Sequence, residues 1–74
     1  MKSDLAEGAI GEMLAHIRAR LENATAVAKA AEACAVAGNP EQAVTIVLDV
    51  EQPLYEATTF LNAASLIRRY AEPD

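Results

Sequence analysis

The chain has 74 residues, 53% of them hydrophobic, and a formal net charge of −5. That length allows a single domain, and two lysines and four arginines among eleven acids argue against a nucleic-acid binder or a protein that docks on anionic membranes, both of which depend on basic residues. One cysteine, no basic-then-apolar leader pattern and no apolar run of about 18 residues predict a protein without internal disulfide, signal peptide or membrane span, located in the cytoplasm.

Asp4 followed by Glu7 reads as an N-cap with a reciprocal acid three residues on, and Leu5 starts the apolar pattern. Gly8 and Gly11 weaken the first turns by about 1 kcal/mol each relative to Ala. From there a seven-residue repeat runs without a miss through Ile10, Leu14, Ile17, Leu21, Ala24, Ala28, Ala31 and Ala35. Alternating steps of four and three put these side chains on one stripe of a helix, the seam it offers to a partner helix. The expectation is a helix over about residues 4–37, continuous or with a weak point near Asn23–Thr25. Ile17 and Leu21 should be buried, with Ala24, Ala28 and Ala31 under a closely approaching helix.

Gly38-Asn39-Pro40 is the clearest punctuation. Gly suits the left-handed residue that ends a helix, Asn suits the next N-cap with Gln42 as its capping-box partner, and Pro suits the first helical position. A tight turn at 38–39 sets the flanking helices antiparallel, with facing residue numbers adding to about 77. Arg20 then falls near Glu56, Lys29 near Asp49, and Glu7 and Glu12 near Arg68 and Arg69. Gly38 to Ala43 resembles the turn between the paired helices of a tetratricopeptide repeat. The resemblance covers six residues and implies an αα-hairpin. The family's first-helix aromatic and Gly positions, and its period of about 34 residues, are missing here, so no functional residue carries over.

The second half is helical in composition and interrupted by Pro53. An interior Pro removes the hydrogen bond to the Asp49 carbonyl and clashes with it, at about 3 kcal/mol. The helix either kinks there or stops near residue 51 and restarts, giving helices over about 40–51 and 53–70 and a frayed tail over 71–74. The run from Ala43 to Leu48 is β-branched but has no second strand to pair with. Two apolar stripes run along this half. One is Val47, Val50, Leu54, Ala57, Leu61 and Ala64, and the other is Ile46, Val50, Pro53, Ala57, Phe60, Ala64 and Ile67. Together they are wider than the seam of a two-stranded coil and look like a bundle helix with neighbours on both sides.

Seventeen of the residues are Ala, which adds little volume to a core, so one hairpin of this length is short of buried material. The expected fold is all-α, a long antiparallel helical hairpin broken or kinked at Pro53, with its bundle completed by dimerisation. The surface around Ile46, Val50, Leu54, Phe60, Ala64 and Ile67 is the expected interface between chains.

No residue set carries chemistry with conviction. His16 is the one histidine; Glu12 stands four residues before it, a weak metal pair with no second His to complete it. Cys34 lies beside the seam, reads as a small buried hydrophobe, and has no His near it in sequence to activate it. Asp49, Glu51 and Glu56 read as a solvated acidic face. The Ser and Thr residues lack an acid–base context, and Arg68-Arg69 beside Tyr70 suits a helix C-terminus. The expectation is therefore a non-catalytic interaction or regulatory protein without metal or cofactor, acting as a homodimer or on another protein. The alternatives are a bundle with a buried ligand or metal site around His16, and an RNA-binding hairpin dimer using Arg18, Arg20, Arg68 and Arg69.

Overall fold

The computed structural model describes residues 3–71. They form α1 (Ser3–Val36), α2 (Pro40–Val47), a 3-10 turn (Leu48–Val50) and α3 (Glu51–Ala71), with no strand among the described residues. α1 contacts α2 and α3 along its length, so the fold is a two-legged rod of 58 × 14 × 11 Å. α1 runs unbroken through Asn23–Thr25, and Asp4 lies in its first turn rather than capping it. Residues 72–74, most of the expected frayed tail, lie outside the described residues, while Ala71 is still helical.

The turn forms as its residues dictate. Gly38 has φ 94°, the left-handed conformation that only glycine takes without penalty. The amide of Asn39 donates to the Cys34 carbonyl and that of Gly38 to the Ala35 carbonyl, both at 3.0 Å. These two bonds make a Schellman closure and satisfy the last carbonyls of α1. Asn39 occupies the N-cap position of α2, and its carbonyl accepts the first helical bond from the Ala43 amide at 3.0 Å. Its side chain makes no capping bond, so the capping box with Gln42 does not form. Pro40 takes the first turn, where its missing N–H costs nothing.

Pro53 has the effect its chemistry requires. α2 tightens into the 3-10 turn ahead of it, and the Glu51 amide donates back to the Leu48 carbonyl. α3 begins at Glu51, which puts Pro53 in its first turn, buried against α1. The backbone is right-handed helical at Val47, Leu48 and Glu51, so the leg changes its winding there with no change of hand.

Both legs bury a seam of alternating three- and four-residue steps. On α1 it is Ala6, Ile10, Met13, Ile17, Arg20, Ala24, Val27, Ala31 and Cys34. On the returning leg it is Ala43, Ile46, Val50, Pro53, Ala57, Phe60, Ala64, Ile67 and Ala71. The fully buried members are small, namely five alanines and Pro53, and among the described residues no large side chain is completely enclosed. The seam therefore departs from the expected stripe. Ile17, Ala24 and Ala31 lie on it, but Leu21 and Ala28 are exposed, as are Leu14 and Ala35. The two stripes share Ile10, Ile17, Ala24 and Ala31 and differ by one residue at alternate positions, a rotation of about 100° at each.

Candidate functional site

The cause of that rotation lies at the middle of the rod. The His16 ring stacks on Phe60, centroids 4.5 Å apart and planes 11° from parallel. Arg20 lays its guanidinium over the same ring, Cζ 5.1 Å from the centroid, and its Nε donates to Glu56 Oε1 at 3.1 Å. Gln52 donates to the other carboxylate oxygen at 2.9 Å. Stacking, a cation over the ring face and a charge-assisted bond together turn both helices toward this flank. Ala9, His16, Glu56 and Ala63 are half-buried there. Arg20 takes a seam position because its stem packs while its head reaches the rim.

The two hydrogen bonds to its oxygens, first from Gln52 and then from Arg20, hold the Glu56 carboxyl below the ordinary carboxylate pKa. A lowered carboxylate pKa stabilises the fold above the unfolded value, about 4.3 for Glu. The contribution is lost as pH falls through the folded value. Glu56→Gln should therefore lower the unfolding midpoint at neutral pH and shrink its fall between neutral pH and the acid range. A pH series of denaturant melts checks this; parallel curves for the two proteins would show that Glu56 contributes nothing to the pH dependence.

The opposite flank is open. Leu14, Leu21, Ala28 and Ala35 of α1 and Val47, Leu54 and Leu61 of the returning leg are all exposed along it, with Glu7 and Arg68 toward its free end. Leu14 is 56% exposed, Leu21 45%, Leu54 45% and Leu61 55%, so each keeps about half its surface in solvent. Leu21, Leu54 and Leu61 line one groove with Ile17, Ala57 and Thr58. Leu14 and Leu21 line a second with Arg18, Glu22 and Thr25.

Of the six residues expected between chains, Ile46, Val50, Phe60, Ala64 and Ile67 lie half-buried on the seam toward α1, and only Leu54 lies on the open flank. Phe60 packs within its own chain. The wide apolar face is real, but its two stripes divide otherwise than expected: the Phe60 stripe serves the hairpin and the Leu54–Leu61 stripe is left over.

The expected pairing of Arg20 with Glu56 is present. The other ion pair among the described residues is Arg18 with Glu22, within α1. The expected pairings of Lys29 with Asp49 and of Glu7 and Glu12 with Arg68 and Arg69 do not reach ion-pair distance. Cys34 sits at the end of the seam with its thiol toward the Asn39 carbonyl, 3.5 Å away. No group of three metal-ligating side chains occurs among the described residues, and no helix among them is long and apolar enough to cross a membrane.

The stack of His16 on Phe60 escaped the sequence reading, although a register of about 77 already sets the Phe60 ring at the level of Ile17 and its neighbour His16. Comparison with known protein families finds no family model that matches the chain, and comparisons with curated proteins and with solved structures find no match.

Proposed function

We propose that this chain is a small, non-catalytic helical interaction or regulatory module that acts in the cytoplasm as a homodimer, its bundle completed by the second copy. The observation that carries the reading is the leucine flank. Four leucines on one side of a two-helix rod, each about half exposed, form the contiguous apolar surface that soluble monomers rarely leave uncovered. Its apolar character and length suit a partner helix laid along it rather than a small polar ligand.

Sedimentation equilibrium at tens of micromolar tests the reading. The expected mass is twice the 7.8 kDa of the chain, with dissociation on dilution. A homogeneous monomer of 7.8 kDa at that concentration would remove the homodimer from the proposal.

A further inference from the structure

The geometry points to one arrangement of that dimer: the two copies meet on the leucine flank with their two-fold axis along the rod, so that α1 of each lies on α3 of the other and both turns sit at the same end. This inference rests on the dimeric reading above and goes further by fixing which face is used and in which orientation.

The area comes first. The chain exposes 5503 Å², whereas a compact monomer of its mass exposes about 4,400 Å². The surplus of about 1,100 Å² exceeds the roughly 800 Å² that each partner buries in a standard stable interface. The opposite flank is already engaged by His16, Arg20 and Glu56 within the hairpin; exposed apolar side chains such as Val36 and Tyr55 also lie elsewhere, but the leucine flank carries a row of them shared between the two legs.

The order of residues along the flank supplies the orientation. Arg20 with Glu56 and His16 with Phe60 fix the register of the two legs, the numbers of both pairs adding to 76. At neighbouring levels on the open flank, Glu7 lies beside Arg68, Leu14 beside Leu61, Leu21 beside Leu54 and Ala28 beside Val47. These levels are seven residues apart, about 10.5 Å along the helix. A two-fold contact between like faces needs its axis in the plane of the interface. With the axis along the rod, each residue meets its level partner from the other copy. Leu14 packs on the partner's Leu61 and Leu21 on the partner's Leu54. Glu7 meets the partner's Arg68, so the one acid and the one base of the ribbon are paired.

With the axis across the rod, α1 lies reversed on the partner's α1. The leucines coincide only when Leu14 meets the partner's Leu21. That register puts Glu7 on the partner's Ala28 and Arg68 on the partner's Val47. Two unpaired charges of each copy are then pressed onto apolar side chains, which costs binding energy. Charge complementarity therefore selects the arrangement with both turns together.

Spin labels at the turn read the orientation directly. In a Cys34→Ala background, a label at Asn39→Cys should give an interspin distance on the order of 20 Å, because neighbouring helices of a bundle lie about 8–10 Å apart. The crossed arrangement puts the same labels about 60 Å apart, at 1.5 Å per residue from the crossing level. Val36→Cys, on the exposed outer side of α1, is a second label site that leaves the turn untouched. Adding Leu21→Glu should abolish the short distance. A dimer with the long distance would overturn the orientation and leave the dimeric reading standing, and a short distance that survives Leu21→Glu would overturn the choice of flank. A monomer by sedimentation would overturn both this inference and the reading beneath it.

Discussion

Phe60→Ala should lower the stability of the hairpin by about 2–3 kcal/mol, below the roughly 3–5 kcal/mol for removing a fully buried Phe ring because this one is half-buried. The ring is the largest side chain on the returning seam, and His16 and Arg20 both lie on it. Its removal strips two partners at once. The His16 imidazole loses its stack, and the Arg20 guanidinium keeps Glu56 but loses the surface beneath it. A double-mutant cycle with His16→Ala should return a coupling of about 0.5–1.5 kcal/mol, the range for stacked aromatic pairs. Denaturant melts at fixed protein concentration measure both values. If Phe60→Ala leaves the melt unchanged and alters only self-association, the ring acts between chains and the intrachain stack carries no stability.

Ala31→Leu should cost about 1–3 kcal/mol through overpacking. Ala31 is buried on the seam, close to the turn, where the Schellman closure holds the legs together. Three added carbons have nowhere to go unless the legs part, and parting them strains the short connection at Gly38. The control is Ala33→Leu, two residues on and exposed on the outer side of α1, which should change stability by no more than about 0.5 kcal/mol. Equal melts for Ala31→Leu and wild type would mean that the alanine seam is loose enough to take a leucine. Ala28→Leu is no test of the seam, since Ala28 is exposed on the leucine flank.

Local chemistry made much of this fold legible in the sequence. Gly38-Asn39-Pro40 has one sensible reading, and it sets the register that pairs Arg20 with Glu56. Pro53 has no N–H to give, so a change of winding ahead of it follows from covalent structure alone. The choice between neighbouring stripes was not legible. Hydropathy favours Leu14 and Leu21 for the seam over Met13 and Arg20, because a pattern of apolar residues cannot register that an arginine stem packs or that a histidine stacks. Those gains exist only once Glu56 and Phe60 stand opposite. The same blindness sent Phe60 to the outside, since two apolar stripes on one helix look alike until the partner helix has chosen.

The closed turn also orders the way the rod assembles. Seam residues next to Gly38, such as Cys34 and Ala43, close a loop of about ten residues when they meet, whereas Ala6 and Ala71 at the far end close one more than six times longer. Loop entropy grows as about (3/2)RT ln n, so the far contact costs about 1.5–2 kcal/mol more to form first. Pairing near the turn removes that penalty, because each level made shortens the loop that the next must close. Loop entropy thus favours closure from Gly38 toward the open end, and at the His16–Phe60 level, midway along, a slipped register would bring the wrong side chain onto the ring.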